Sequence, residues 1–396
     1  MVESEGSNQH PKRSKLTNHS QFPSTSMQHS SFNRVPILPS EFITEILLKL
    51  PMKSLVRFRC ISQSWLALIS SPEFVKTLLS IFANNKEYTH HKLILSSFRR
   101  GNINDCSLKD CSLSSLLYDS IAHSFDLDYP MKHLRQSIKV VGSVNGLICL
   151  AIEDEDFILW NPSIRKFKKL PDSRAAGCYF IYGFGYDELQ NDYKLVGISG
   201  TLNYRRSHKV ETKIYSLQGN SFRSIRTFQT GLLSDIISID LIDGKWGKVE
   251  KPCYREGDFD FTMQPGLGVM GSDLSMYCRS RRTRTDFWIM KEYGVKDSWT
   301  KVFTFNYPHD NPTGHLFSPP FIMSSKGDIL FRFGSAFVIY NPKDDSFKNQ
   351  KVTNCNIFWH ANIYIESLVW PFWQKEPVMQ QRKLKKLRRK RSGKSN

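Results

Sequence analysis

Several features are missing from this chain of 396 residues, and each absence closes off a class of protein. No run of eighteen apolar residues occurs, so no helical membrane span is expected. The first fifteen residues, MVESEGSNQHPKRSK, hold no apolar stretch of the kind a secretory leader needs. A reducing compartment is therefore expected, with cysteines kept as thiols. Eight cysteines stand at positions 60, 106, 111, 149, 178, 253, 278 and 355, and no two have the C-x-x-C spacing of zinc sites or redox pairs. Cys149 and Cys278 lie in strand-like runs, where small buried hydrophobes are expected. Neither H-E-x-x-H nor G-x-S-x-G occurs. Gly393-Lys394-Ser395 has Arg388 where a phosphate loop needs its first glycine, and no helix can follow it. His90, His91, His309, His315 and His360 are scattered without the spacing of metal ligands. No catalytic residue, metal or cofactor is therefore expected.

The residues that are present argue for a folded chain. Aromatic residues make up 13% of it, enough to build a core, so wholesale disorder is excluded. The net charge of +18 is unevenly spread. No acid follows Glu376, and residues 377–396 carry nine basic side chains, half of that net charge. Within them Lys385, Lys386, Arg388, Arg389, Lys390 and Arg391 form a cluster that a nuclear importer could read. A solvated end and direct nucleic-acid binding are the competing readings. Leu384 and Leu387 are too few apolar anchors for a membrane helix.

Composition divides the chain into a disordered leader over 1–35, a helical region over 36–82, a β region over 88–370 and the basic tail 377–396. In the helical region Ser40 opens a helix carrying Phe42, Ile43, Ile46, Leu47 and Leu50, which Pro51 stops. A second helix covers about Lys53 to Arg59, Ser62 caps a third with Trp65, Leu66 and Ile69, and Ser71-Pro72 starts a fourth. Beyond residue 88 the apolar period becomes two. HKLILSS, IKVVGSV, LICLAI, FILWN, YKLVGIS, KIYSL, ISIDL, LSMYC, FWIMK, ILFRF and FVIYN read as strands, with a tight hairpin at Asn145-Gly146.

Five segments share one plan: an apolar strand, a polar turn, an aromatic residue, then a second strand. They are 158–170, 213–225, 237–249, 287–302 and 337–350, and their aromatics are Phe167, Phe222, Trp246, Trp299 and Phe347. Separations of 55, 53 and 48 residues suit four-stranded propeller blades. The separation of 24 between Phe222 and Trp246 is too short for a complete blade, so one strand pair is expected to be missing there. Weakly paired strands on both sides, KIYSL and ISIDL, and poor protection across 226–240 are the corresponding expectations.

Residues 37–74, ILPSEFITEILLKLPMKSLVRFRCISQSWLALISSPEF, resemble an F-box. The resemblance rests on Leu38-Pro39, the apolar helix ending at Leu50-Pro51, the run Arg57 to Ser62, and Trp65. The β region is similar to the F-box-associated, kelch-like region of the large plant F-box families, through GSVNGLICL, LWNPSIRKFKKLP, YGFGYDELQNDYKLV, WIMKEYGVKDSWTKVF, VIYNPKDDSFK and YIESLV. One hairpin phrase of that family is absent before ISIDL, in the gap that the spacing of 24 exposes.

The fold class that results is α+β: a small all-α F-box followed by an all-β, kelch-like β-propeller with one shortened blade. The resemblance implies the substrate-recognition subunit of an SCF-type ubiquitin ligase, non-catalytic, docking a Skp-family adaptor and through it a cullin scaffold; with the basic tail, nucleus and cytoplasm are the expected locations. Its expected adaptor contacts are Leu38, Pro39, Ile43, Ile46, Leu47, Leu50, Pro51 and Leu55. The first helix supports this, because its apolar face is wider than short neighbouring helices should cover. Arg205 and Arg206, and Arg279, Arg281, Arg282 and Arg284, cluster between strands and are candidate contacts for an acidic or phosphorylated substrate, against ordinary solvated loops. The alternative function is a nuclear nucleic-acid-associated protein acting through the tail.

The tail reading has a direct test. Residues 377–396 fused to a cytosolic fluorescent protein too large to diffuse through nuclear pores should move it into the nucleus; a fusion that stays cytoplasmic removes importin from the partners.

Overall fold

In the computed structural model, residues 38–99, 102–130, 132, 137–153, 156–171, 179–200, 210–225, 236–252, 265–280, 284–306, 322–334, 336–355 and 360–372 are described. The chain divides into two compact units, 1–43 and 44–396. The first contributes residues 38–43, which include the opening of helix α1 (Ser40–Leu48).

The remaining helices are α2 (Met52–Phe58), α3 (Gln63–Ile69) and α4 (Pro72–Ala83). Their starts follow the expected chemistry. The Trp65 amide donates to Ser62 Oγ at 3.1 Å and the Phe74 amide to Ser71 Oγ at 3.2 Å, each capping an otherwise orphaned donor. Pro51 is the N-cap of α2, so it both ends the first helix and begins the next. No single helix among the described residues is long and apolar enough to cross a membrane.

The described strands of the β domain form five sheets, and the largest, of eight strands, divides at a single parallel contact, which gives the six antiparallel groups taken here as blades 1 to 6. Blade 1 holds β1 (His91–Arg99), β2 (Asn102–Ser112) and β3 (Ile121–Asp126), with a short helix α5 (Leu113–Tyr118) between the last two. Blade 2 is β4 (Ile138–Val144), β5 (Leu147–Ile152), β6 (Asp156–Asn161) and β7 (Lys166–Lys169). Blade 3 is β8 (Tyr179–Asp187), β9 (Asp192–Gly200), β10 (Val210–Ser216) and β11 (Ser221–Ile225). Blade 4 has two strands among the described residues, β12 (Ile236–Ile239) and β13 (Trp246–Val249). Blade 5 is β14 (Gly266–Met270), β15 (Asp273–Ser280), β16 (Arg284–Met290) and β17 (Trp299–Asn306). Blade 6 is β18 (Ile322–Met323), β19 (Ile329–Phe333), β20 (Ala336–Asn341) and β21 (Ser346–Thr353). The last strand, β22 (His360–Ile365), returns to pair with β1, from His91 opposite Ile365 to Ser96 opposite His360, and so completes blade 1.

The five repeated segments are the outer hairpins of blades 2 to 6, and each aromatic sits at or near the start of the outermost strand. The shortened repeat is the two-stranded blade 4. Residues 226–235, ten in all, separate β11 from β12, whereas the β14–β15 hairpin alone occupies 266–280. One expectation is corrected: KIYSL, the core of β10, is fully paired, with β9 on one edge and β11 on the other. Among the described residues β12 pairs with β13 alone, and no strand meets its second edge.

Blades cover one another's faces, which explains why β5 is apolar throughout instead of alternating. Leu147, Cys149 and Ala151 join a cluster with Tyr193, Leu195 and Tyr215 of blade 3. Ile148, Leu150 and Ile152 join Ile94, Leu108 and Tyr364 of blade 1. Similar clusters tie blade 6 to blade 1 through Leu330, Phe337 and Leu93, and blade 5 to blade 6 through Phe287, Phe303 and Phe331. A smaller one, around Ile236, Val249, Met276 and Trp299, ties blade 4 to blade 5. Alternate residues of such a strand bury their side chains against one neighbouring blade and then the other, at roughly 25 cal/mol per Å² of apolar surface removed from water.

Asn145 and Gly146 both have positive φ, 55° and 77°, as their two-residue hairpin turn requires. A Cβ at Gly146 would lie 2.2 Å from Ser367 Oγ and 2.6 Å from the Ile365 carbonyl, so glycine also makes room for the end of β22.

The seam between β22 and β1 carries buried charge. Lys92 Nζ lies 2.8 Å from Asp110 and 3.4 Å from Glu366. Burial lowers the Lys92 pKa, but these two carboxylates outweigh it and leave the ammonium above its ordinary value. Burial raises Glu366, and His90 and Lys92 outweigh that and hold its carboxyl below the usual range. Next to it, burial and then the neighbouring His90 hold the His91 imidazole down to about 4. A His that titrates lower when folded takes up its proton more readily when unfolded. Its share of stability is complete above its ordinary value near 6.5 and is lost as pH falls from there towards 4. Glu366 acts in the same direction at lower pH. Unfolding free energy should therefore fall between pH 6.5 and 4.5, by about 1 kcal/mol from His91 once its partial exposure is allowed for. Chemical denaturation across this range, beside a His91→Phe variant with a flatter profile, measures that share.

Candidate functional site

Helix α1 carries two apolar stripes. Leu47, at 1% exposure, points into the helical core with Met52, Leu55, Ile69, Phe74, Leu78 and Phe82, all buried. The other stripe faces solvent: in the first unit Leu38 and Phe42 are 55% and 56% exposed, and in the second Ile46 is 52% exposed. Ile61, in the link between α2 and α3, is 61% exposed. Phe58 and Trp65 pack edge to face with centroids 5.2 Å apart and fix that link.

This division corrects part of the sequence reading. Leu47 and Leu55 are core residues with no surface to offer a partner. Ile43 and Leu50 are half-buried, and Leu38, Pro39, Ile46 and Pro51 are exposed. Phe42, Ile61 and, on α4, Ile81 are exposed apolar residues absent from the expected set. Phe42 was legible as the surplus width of the apolar stripe. Ile61 lies in a turn, where periodicity carries no signal.

Where the helices meet the β domain, Phe82 stacks on His90 with ring centroids 3.5 Å apart. A groove of about 410 Å³ opens there, lined by Glu45, Leu48, Lys49, Ile81, Phe82 and His90. Its charged pair, Glu45 and Lys49 at 2.9 Å, is an exposed i,i+4 contact worth little energetically.

The arginine clusters fare differently. Arg205 and Arg206, and Arg281 and Arg282, lie outside the described residues. Arg279 sits on β15 opposite Thr285 of β16, within the sheet rather than in a loop. Arg284, on β16, gives a two-pronged contact to Asp286, at 3.1 and 2.9 Å, and Thr304 donates to the same carboxylate at 2.6 Å. Arg284 therefore serves an ion pair within its blade, which corrects its reading as a loop contact. The β9–β10 and β15–β16 connections each join the second and third strands of a blade, so Gly200, Val210, Ser280 and Arg284 lie at the same end of their sheets. The tail cluster from Lys385 to Arg391 lies outside the described residues.

Titratable groups elsewhere are tied into structure. Tyr364 is buried, which pushes its hydroxyl well above the ordinary value, and it donates to Asp110 at 3.4 Å. Cys111 is pushed up to about 12 by burial and then by Asp110, so it is an inert thiol at neutral pH. Cys60, Cys106, Cys111, Cys149, Cys278 and Cys355 form no disulfide, and Cys178 and Cys253 lie outside the described residues. Among the described residues no group of His, Cys, Asp and Glu could hold a metal ion.

Comparison with known proteins agrees with this architecture. Residues 36–77 match the F-box domain, and residues 92–240 match the F-box-associated beta propeller domain. An F-box/kelch-repeat protein of Arabidopsis thaliana is 30% identical over 368 residues, covering 84% of this chain and 96% of its own length. F-box protein CPR1 of the same plant is 27% identical over 382 residues, covering 84% of this chain and 88% of its own. With the helical box, the ring of blades and full-length relatives all in agreement, the chain belongs to the F-box proteins that carry an F-box-associated β-propeller domain.

Proposed function

We propose that this protein is the substrate receptor of a multi-subunit ubiquitin ligase: its F-box docks a Skp-family adaptor, which joins a cullin scaffold, and its β domain holds the protein to be modified. The observation that carries the reading is the second apolar stripe of α1. Leu38, Phe42 and Ile46 are exposed in a small helical domain that has already filled its core with Leu47, Leu55 and Leu78. Contiguous exposed apolar side chains of this kind mark a surface that a partner covers.

A receptor of this type needs no catalytic residue. Holding a substrate near a loaded ubiquitin carrier raises its effective concentration, and proximity supplies the rate. The tail residues Lys385 to Arg391 are proposed to bind an importin and give the receptor access to the nucleus.

The two stripes of α1 give opposite mutational outcomes. Phe42→Glu with Ile46→Glu should leave the fold intact, because both positions are already solvated, and should weaken adaptor capture by at least a hundredfold, about 3 kcal/mol. Leu47→Glu buries a carboxylate without a partner and should instead destabilise the helical domain by about 3–5 kcal/mol. Adaptor pull-down and thermal melts of both proteins separate these effects. Unchanged capture by the folded double variant would overturn the proposal.

A further inference from the structure

The shortened blade leaves a slot, and its walls are described on three sides. On β8 the side chains of Tyr182, Phe184 and Tyr186 pack towards blade 2, so Ile181, Gly183 and Gly185 face blade 4. Cover along this line runs out. A Cβ at Gly185 would meet Leu241 at 2.8 Å, one at Gly183 would meet nothing within 4 Å, and Ile181 is 69% exposed. On the opposite wall Leu267 and Val269 of β14 stand across from Met276 and Leu274 and share their face. Met276 is fully buried against blade 4, yet Leu267 and Val269 are 45% and 60% exposed. The hairpin of blade 4 therefore covers the outer halves of its neighbours and leaves their inner halves bare.

The third side is the edge of β12. The Asp240 amide donates to the Lys245 carbonyl at 2.9 Å, which fixes the hydrogen-bonding phase of the hairpin. Antiparallel pairs alternate, so Ser238 and Ile236 bond to Gly247 and Val249, and the main-chain groups of Ile237 and Ile239 point into the slot. Among the described residues no strand meets them.

We propose that this slot takes an extended segment of the substrate protein, which adds as a strand to the edge of β12 and sets apolar side chains at alternate positions against Val269, Leu267 and Ile181. The proposal rests on the receptor reading and names what the β domain holds. The chain's own length argues against self-filling. Residues 226–235, the ten that join β11 to β12, are fewer than the fifteen of the β14–β15 hairpin at the corresponding place in blade 5. A second copy is also a poor fit. A recessed edge of four residues is about 13 Å long and cannot approach the 1,200 Å² or more that holds two folded chains together. A single flexible strand fits both the edge and the apolar walls.

The test uses the full chain and a defined probe, a fluorescent hexapeptide of sequence Thr-Val-Thr-Val-Thr-Val with blocked ends. Saturable binding is expected by anisotropy. A fully N-methylated counterpart, which keeps the side chains and loses every main-chain donor, should bind at least tenfold more weakly. Val269→Glu and Leu267→Glu, at positions already exposed, should each do the same to the unmodified peptide. Hydrogen exchange at the Ile237 and Ile239 amides should slow when the peptide is added, while that of Ser238 stays constant. No saturable binding, equal binding of the methylated peptide, or protection of Ile237 and Ile239 before any peptide is added would overturn the slot, as would a concentration-dependent dimer. Val269→Glu should retain adaptor capture, so loss of peptide binding alone reports on the slot. Failure of the unsubstituted chain to capture adaptor would count against the receptor reading and leave the slot standing.

Discussion

The architecture depends on one pairing across the length of the chain, that of β22 with β1. Blades pack apolar faces on their neighbours, and each draws stability from those contacts. Inserting the last strand beside the first places Tyr364 in the cluster between blades 1 and 2 and brings Glu366 to Lys92. The segment after β22 is anchored by Asn161, which is fully buried and donates to the Ser367 and Val369 carbonyls at 3.1 and 2.9 Å. Trp370 and Phe372 then join the core between blades 2 and 3. A parallel contact between β21 and β3, with Lys351 opposite Ile121, ties the outer strands of blades 6 and 1 as well. The seam is thus fastened along both its inner and outer strands.

Blade 4 is held by different means. Lys194 of β9, almost fully buried, gives its three donors to Asp187 at 2.7 Å, to Gln190 at 2.8 Å and to the Leu241 carbonyl at 2.6 Å. Its charge is compensated and its donors are all used, which is what makes an ammonium tolerable in the interior. Arg223 donates to the Ile242 and Asp243 carbonyls from the same blade. On the other side the Trp299 indole donates to the Glu250 carbonyl at 2.8 Å. Directional bonds to the turn and flanks of the hairpin do what the apolar faces of a missing strand pair would otherwise do.

Local chemistry was the legible part of the sequence. Ser62 and Ser71 announce helix starts because a hydroxyl at that position satisfies a nearby amide whatever lies elsewhere. Asn145-Gly146 announces a hairpin because few other pairs adopt positive φ twice running. The interval of 24 between Phe222 and Trp246 exposed the short blade because every other outer strand carries an aromatic in the same place. What could not be read was the division of α1 into an inward and an outward stripe. Leu47 and Ile46 are adjacent and chemically alike, and their fates are set by α2, α3 and α4. The pairing of β22 with β1 and the placement of Arg284 on a strand, paired with Asp286, were equally hidden, since each depends on a partner that local pattern does not specify. Helix α5 was missed because six residues are too few to show a period.

The place of β22 in the chain also sets a schedule for its synthesis. Strand β1 is complete by residue 99, but its inner partner begins at residue 360. At 5–20 residues per second the ribosome needs roughly 13–50 s to make the intervening chain. Throughout that interval blade 1 exists without its innermost strand, and the apolar face that Tyr364 will help cover is open to other nascent chains. The nascent chain therefore carries an uncovered apolar face for longer than a protein of equal size built from local hairpins alone.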